Sequence, residues 1–171
     1  EYYDNGQLKR AGIYQDDLEI GEWKVYHENG SLSVVEKYEN GRPVDTWTFY
    51  YPYDQKKKVL HFKDGLPDSS YVEYFPNELV SVRGQYREGM RTGNWYNYHE
   101  TGKLYSFGEY EEDQKAGVWK YFNDKGMLIA EGPFQDGTEH GQWFFYHDNG
   151  GLKSIGTYEE GEETGLWGNF H

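Results

Sequence analysis

The sequence predicts an all-β fold, an elongated single-layer antiparallel sheet of about seven stacked β-hairpins. The first observation behind this prediction is a motif that recurs every 24 residues without interruption. The second is a set of aromatic rows at fixed positions of the repeat, and the third is a pair of turn signals in each repeat. A constant period of this length is typical of proteins whose units bury their apolar surface only by stacking on their neighbours.

Each repeat is defined by its opening residue and by an aromatic residue two positions later. The opening residues are Gly21, Asp45, Ser69, Gly93, Gly117, Gly141 and Gly165. The third-position row is Trp23, Trp47, Tyr71, Trp95, Trp119, Trp143 and Trp167. We predict one repeat array over residues 1–171. Both ends fall inside a repeat, Glu1 at its fifth position and His171 at its seventh, so we expect the natural polypeptide to extend upstream.

Two turn signals divide each repeat into two short strands. The ninth and tenth positions hold Asn29-Gly30, Thr101-Gly102, Lys125-Gly126 and Asn149-Gly150. The twentieth and twenty-first hold Asn40-Gly41, Asp64-Gly65, Glu88-Gly89, Asp136-Gly137 and Glu160-Gly161. Such pairs favour type I′ turns, in which both central residues have positive φ. The sequence therefore predicts antiparallel hairpins, and helix is expected to be almost absent because no helical periodicity lasts beyond one turn.

One face of the predicted sheet is expected to form the core. A two-residue loop at the ninth and tenth positions pairs the third position with the sixteenth, which gives Trp95 with Gly108, Trp119 with Gly132 and Trp143 with Gly156. We expect each indole ring to cover the glycine of its own hairpin. The same face should carry the twelfth-position leucines and the eighteenth-position row. These rows are Leu32, Leu104, Leu128 and Leu152, and Tyr14, Tyr38, Phe62, Tyr86, Tyr110, Phe134 and Tyr158.

The opposite face carries the aromatic residues of the sixth position, interleaved with polar side chains such as Lys24, Thr48, Lys57, Lys120 and Lys153. The full row is Tyr26, Tyr50, Tyr74, Tyr98, Phe122, Tyr146 and Phe170. Because only one face is well covered, we expect the sheet to twist and curl along its length. Tyr26, Tyr50, Tyr74, Tyr98, Phe122 and Tyr146 are our candidate residues for contact with a partner.

The repeats between residues 21 and 92 depart from the pattern. Glu36 and Leu60 replace the sixteenth-position glycine. The first turns become Pro52-Tyr53-Asp54 and Pro76-Asn77-Glu78, so we expect these hairpins to turn differently and the prolines to lie at strand ends. Lys56-Lys57-Lys58 forms a basic cluster. We interpret it as a solvated strand end in preference to a contact for an acidic partner.

The pattern G-x-W-x-x-Y-x-x-N-G-x-L-x-x-x-G-x-Y-x-x-G is nearly whole in residues 93–116 and 141–164. It resembles the MORN repeat, specifically the bacterial variant common in proteins described as YwqK-like antitoxin components. The resemblance covers the whole chain. It implies stacked hairpins in an elongated single-layer sheet that serves as a protein-binding or scaffold module, with eukaryotic relatives linked to membranes and phospholipids. It implies no catalytic residues.

Charge and composition exclude several classes of function. A formal net charge of -13 argues against nucleic acid and against unaided binding to anionic membranes. The chain has no apolar run long enough for a transmembrane helix and no Cys for disulfides or thiolate metal sites. The compartment stays open, and we lean towards an exported or cell-envelope protein of a bacterium.

Histidines and carboxylates are the candidates for metal binding. His27, His99, His147 and His171 share the seventh position, but equivalent positions in adjacent hairpins are about 9–10 Å apart, too far for one zinc ion. The acidic turns, which are Asp16-Asp17, Glu111-Glu112-Asp113 and Glu159 to Glu163, lack a calcium-loop pattern. We predict a strand-end row for the histidines, solvated tips for the carboxylates, and neither a metal nor a cofactor.

No catalytic motif is present, so we predict a non-enzymatic interaction or scaffold module. It would bind a protein partner through its aromatic face or its end strands. The alternatives are an antitoxin component of a toxin–antitoxin pair and a glycan-binding cell-envelope protein. A hydrolase acting through unrecognised carboxylates is the least favoured interpretation.

Overall fold

The computed structural model describes residues 1–170 of the chain. The strands are β1 (Arg10–Gln15), β2 (Leu18–Tyr26), β3 (Leu32–Glu39), β4 (Arg42–Pro43), β5 (Asp45–Tyr50), β6 (Lys56–Lys63), β7 (Leu66–Tyr74), β8 (Val80–Arg87), β9 (Met90–Tyr98), β10 (Leu104–Glu111), β11 (Gln114–Phe122), β12 (Leu128–Gln135), β13 (Thr138–Glu139), β14 (Gly141–Tyr146), β15 (Leu152–Glu159) and β16 (Glu162–Asn169). The order of strands in the antiparallel sheet follows the chain, with β4 beside β3 and β13 beside β12. The predicted all-β class is confirmed.

The chain divides into two compact units. One comprises Glu1–Val80 and Tyr86–Gly89, and the other comprises Ser81–Gln85 and the chain from Met90 onwards. Each unit consists of antiparallel hairpins. One repeat array over residues 1–171 stays a prediction. The described residues contain no helix with the length and apolarity needed to span a membrane.

The second turn of the repeat has the predicted geometry. At Asn40-Gly41 both residues have positive φ, 50° and 73°, as a type I′ turn requires. Glu112 and Asp113 adopt the same conformation without a glycine, with φ of 46° and 68°. The turn is tight, because the residues on either side of it, Glu111 and Gln114, are direct partners in the sheet.

The first turn is not the predicted two-residue type I′ loop. In the repeat that begins at Gly93, the backbone N–H of Gly102 donates to the carbonyl of His99 (2.8 Å), and the N–H of His99 donates to the carbonyl of Lys103 (2.8 Å). Gly102 has a φ of 80°, whereas Thr101 is not in the left-handed region. The chain therefore makes a four-residue turn that ends in a left-handed residue, which adds residues to the loop and shifts the register beyond it.

The proline-containing turns have the same geometry as the other first turns, so the prediction that they turn differently is wrong. Asp54 and Glu78 take the left-handed position, with φ of 70° and 66°. Their N–H groups donate to the carbonyls of Tyr51 and Phe75, at 3.0 and 2.9 Å. Each proline follows the first residue of a turn of the same kind, a position where a fixed φ near −65° is favoured.

The longer loop moves the twelfth-position leucines to the face opposite the one predicted. Tyr98 pairs with Leu104, and the register shifts between Leu104 and Ser106. The equivalent pairs are Tyr26 with Leu32, Phe122 with Leu128 and Tyr146 with Leu152. Directly opposed residues of an antiparallel pair share a face. The leucines therefore lie with the sixth-position row and not with the tryptophans.

The core face is confirmed for the tryptophans and for the eighteenth-position row. Trp119 is 1% exposed, the most buried large side chain described. It meets Tyr110 and Phe134 edge-on, with ring centroids 5.2 and 6.1 Å away. Because aromatic edges and faces carry opposite partial charge, such T-shaped pairs add to the gain from burial.

The tryptophan rings do cover strand glycines, as predicted, but each ring covers the glycine of the preceding hairpin and not that of its own. Trp119 and Gly132 are register partners, as predicted. The Trp119 ring nevertheless lies on Gly108 of the preceding hairpin, where an added Cβ would stand 2.3 Å from Cδ2 of the indole. The register shifts beside Gly108, opposite Gly117 with its φ of 60°, and this bulge lets the indole cross to the earlier strand. The same relationship holds for Gly12 and Trp23, Gly84 and Trp95, Gly132 and Trp143, and Gly156 and Trp167.

Candidate functional site

In each unit, the sixth-position face is the surface formed by that unit's members of the sixth-position row and by the side chains that alternate with its core residues. On β11, Val118, Lys120 and Phe122 point away from the side that carries Trp119 and Tyr121, because successive strand residues point to opposite faces. Val118 is 54% exposed. The face therefore presents apolar side chains outside the tryptophan core.

Three aromatic rings form a nearly parallel stack on this face in the second unit. Phe107 lies between Tyr96 and Phe122, with centroids 6.0 and 6.2 Å away and interplanar angles of 18° and 14°. The guanidinium of Arg83 lies 4.6 Å from the centroid of Tyr96 and 5.8 Å from that of Tyr98. The stack is half-buried, so its ring surfaces are partly open to solvent.

A polar cluster lies beside the stack. Lys120 forms an ion pair with Glu131 at 3.0 Å, and the hydroxyl of Tyr146 donates to the same carboxylate at 2.8 Å. Burial raises the pKa of Glu131, but the ion pair and the hydrogen bond outweigh burial, so its pKa lies below its ordinary value. Glu131 therefore remains a carboxylate at neutral pH, with both of its oxygens engaged by neighbouring side chains.

Comparison with known families identifies the repeats. The sequence profile described as the MORN repeat variant matches residues 1–16, 19–41, 91–112, 115–136 and 139–160, together more than half of the chain. The chain belongs to the MORN repeat variant family. MORN repeats are in general modules that bind proteins or membranes and are in general not enzymes. No curated protein matches the chain. The family match does not confirm an antitoxin role or a bacterial source.

The six candidate contact residues fall in both units and have different surroundings. In the second unit, Phe122 belongs to the ring stack, Tyr98 lies near Arg83, and Tyr146 is bound to Glu131. In the first unit, Tyr26, Tyr50 and Tyr74 are half-buried. Tyr26 pairs with Leu32 and Tyr50 pairs with Lys56. Contact of this MORN row with a partner stays a prediction.

Sequence reasoning missed several residues of the same face. Tyr96 occupies the fourth position, which is aromatic again at Phe144, and Phe107 occupies the fifteenth, which is aromatic in no other MORN repeat of the chain. Arg83 and Val118 were also missed. Strict alternation along β9 and β11 would have found Tyr96 and Val118, because they are two and four residues from members of the sixth-position row.

Five seventh-position side chains each join their own MORN repeat to the next one. The Nε2–H groups of His27, His99 and His147 donate to the carbonyls of Tyr50, Phe122 and Phe170, at 3.1, 3.0 and 3.2 Å. The hydroxyls of Tyr3 and Tyr51 donate in the same way to Tyr26 and Tyr74, at 2.7 and 2.9 Å. A carbonyl only accepts, so the contact places the histidine proton on Nε2.

The histidines and carboxylates, and the basic cluster Lys56-Lys57-Lys58, are the remaining candidates for a metal or ligand site. Among residues 1–170 no group of three or more His, Asp or Glu side chains is arranged to hold a metal ion. His171 lies outside the described residues. In the basic cluster, the ammonium groups of Lys57 and Lys58 lie 5.6 and 4.3 Å from the ring centroids of Tyr51 and Phe49. These lysines therefore take part in cation–π contacts within the first unit.

Proposed function

We propose that this chain is a non-enzymatic interaction module whose sixth-position face binds a protein partner with a basic contact surface. The observation that carries the proposal is the partly open stack of Tyr96, Phe107 and Phe122. Contiguous exposed apolar surface on a soluble domain is typical of an interaction site. Aromatic residues are also enriched among the residues that contribute most to binding energy at protein interfaces.

The charge of the chain supports a basic partner. The formal net charge is -13. On the face itself, Lys120 is paired with Glu131, so the rings lie beside a locally neutral pair. A partner with lysines and arginines around an apolar centre would gain from electrostatic steering by the net negative charge of the chain.

Site-specific photo-crosslinking in cells of the source organism tests the proposal. A benzophenone amino acid would replace Phe122 or Tyr98 on the face and, as the control, Tyr53, which is 81% exposed in a turn. We expect one basic protein to be crosslinked from the two face positions and not from the control. Equal crosslinking from all three positions, or none from the face, would contradict the proposal.

Glycan binding is the second candidate function, because nearly parallel rings with Lys120 and Glu131 beside them suit the faces and hydroxyls of sugar rings. Titration with cell-wall fragments, followed by NMR, separates the two functions. Chemical-shift changes confined to the side chains of Tyr96, Phe107 and Phe122 would favour a glycan. A spectrum unchanged by every fragment would remove this candidate.

A further inference from the structure

A groove of about 600 Å³ opens on the core face of the second unit. Aromatic side chains of Tyr105, Tyr121, Trp143 and Phe145 form much of its lining. Tyr146 of the sixth-position row also borders it, at the end of β14. The groove combines ring surfaces with charged side chains.

The charged residues of the groove lie at the two ends of β14. Glu139 precedes the strand, and Asp148 and Lys153 follow it. Asp148 is also 3.9 Å from the ammonium group of Lys125. Asp148 at the far end of the groove therefore has a lysine partner. Glu139 is the acidic group at the near end, where its charge also acts on the ammonium group of Lys115.

One repeat earlier, the chain places its own ammonium group among equivalent rings. The Nζ of Lys115 lies 4.4 Å from the centroid of Trp119 and 4.6 Å from that of Phe134. It also lies 5.5 Å from the ring of Tyr121 and donates a hydrogen bond to the Tyr121 hydroxyl at 3.0 Å. Burial lowers the pKa of Lys115, and the nearby charge of Glu139 opposes that effect. This face therefore already holds one cation by ring contacts.

Glu139 occupies the position that Lys115 has in the preceding repeat. Each residue stands four positions before a core tryptophan, Trp119 for Lys115 and Trp143 for Glu139. The rings around Trp143 are equivalent to those around Trp119. The ring centroids of Phe145 and Tyr158 lie 6.1 and 5.8 Å from that of Trp143, in the places that Tyr121 and Phe134 take beside Trp119. The later ring set thus has a carboxylate where the earlier one has an ammonium group.

We propose that this groove binds a lysine side chain of a partner protein, with the ammonium group against Trp143 and Phe145 and paired with Glu139. Lys115 is the internal example of the chemistry, a primary ammonium held by rings and a polar oxygen. Rings and a carboxylate together favour a cation over a neutral group of the same shape. The groove proposal does not rest on the sixth-position face, and the two proposals can fail separately.

Titration with Nα-acetyl-lysine N-methylamide, followed by NMR, tests the groove directly. The reporter is the indole N–H of Trp143, which donates to the carbonyl of Pro133 at 3.1 Å. We expect this resonance to shift with the lysine derivative, and we expect the Nε-acetylated derivative to bind at least about fivefold more weakly. Equal binding of the neutral derivative would overturn the proposal. Tighter binding of choline than of the lysine derivative would overturn it in favour of a quaternary ammonium ligand.

Three variants separate the role of Glu139 from that of the rings. Glu139→Gln should weaken binding of the lysine derivative about fivefold or more. Glu139→Lys should abolish it, because the new side chain would fill the site as Lys115 does. Glu163→Gln, at the same position of the next repeat, should leave binding unchanged. Unchanged binding in Glu139→Gln, with a dispersed amide spectrum as evidence of folding, would overturn the proposal.

Discussion

The indole ring of Trp119 lies on Gly108, the glycine of the preceding hairpin, and not on its register partner Gly132. Its Nε1–H also donates to the carbonyl of Glu109 on the preceding strand, at 3.1 Å. Each tryptophan of this kind therefore joins two successive hairpins. The strand glycine therefore provides the space in which one hairpin packs against the next.

Gly108→Ala is the direct test of this packing. The new Cβ would meet the rigid indole of Trp119 at 2.3 Å, so we expect a loss of about 1–3 kcal/mol in the free energy of unfolding. Gly151→Ala is the control, because its Cβ would meet only the flexible side chain of Asn149, at 3.1 Å. Urea unfolding followed by tryptophan fluorescence measures both. Equal losses in the two variants would contradict the packing.

Leu60 and Tyr71 should be energetically coupled. They are directly paired, and Leu60 is 8% exposed in the place where most other repeats have a strand glycine. Tyr71→Trp alone should crowd Leu60, and Leu60→Gly alone should leave a cavity. Combined, they restore the usual pair, so the double variant should be at least about 1 kcal/mol more stable than the sum of the single losses predicts.

A matched pair checks that coupling. Leu60→Gly combined with Ile13→Ala, at a residue that is 65% exposed, should give additive losses. If the losses in unfolding free energy of Leu60→Gly and Tyr71→Trp are also additive, the two side chains are not packed against each other.

Glu78→Gly should stabilise the protein by about 0.5–1 kcal/mol. Glu78 ends its turn with a φ of 66°, a conformation in which a side chain is strained and glycine is not. Thr101→Gly is the control. Thr101 lies one position before the left-handed Gly102 and is not itself left-handed, so a glycine there relieves no strain and only raises the entropy of the unfolded chain. Thermal unfolding should show a higher midpoint for the first variant and a lower midpoint for the second. A lower midpoint for both would refute this account of the turn.

Asp113 should make stability depend on acid pH. The side chain and the backbone N–H of Arg91 donate to its carboxylate, at 2.8 and 3.0 Å, and lower its pKa. A lowered pKa in the folded state means that the stabilisation is complete above the ordinary value of about 4 and is lost as the pH falls through the folded value. Because the carboxylate is 45% exposed, the effect should stay below about 1 kcal/mol.

The check for Asp113 is a series of urea unfolding curves between about pH 2 and pH 6. Asp113→Asn should flatten the dependence of unfolding free energy on pH at its acid end, since an amide does not titrate there. Parallel curves for the variant and the wild type would mean that Arg91 does not stabilise this carboxylate.

The period and the turn residues were sufficient to predict the fold class and the pairing of Trp119 with Gly132. They were not sufficient to predict which glycine the ring covers. That choice depends on the bulge opposite Gly117, where the strands are no longer matched residue for residue. The position of Leu104 was missed for a similar reason, because the turn at Gly102 contains more residues than a type I′ loop.

The candidate contact row could be read from the sequence because its spacing is constant. Tyr96 and Phe107 could not be found in that way, since they lack counterparts in several repeats. Their importance comes from stacking across neighbouring strands, which needs the register. The hydrogen bond of His99 to the Phe122 carbonyl joins the seventh position of one repeat to the sixth position of the next, a contact that only the pairing of successive hairpins reveals.

The central claim is that a basic protein partner binds the sixth-position face. The most direct test measures the affinity of the partner identified by crosslinking for variants of this protein with an altered surface. Val118→Lys adds a positive charge at a residue that is 54% exposed on the sixth-position face, and Met127→Lys adds the same charge at an exposed residue directly after a turn. For a basic partner that binds the face, Val118→Lys should weaken the Kd at least about tenfold, while Met127→Lys should leave it nearly unchanged. Equal affinities for Val118→Lys and the wild type would contradict the claim.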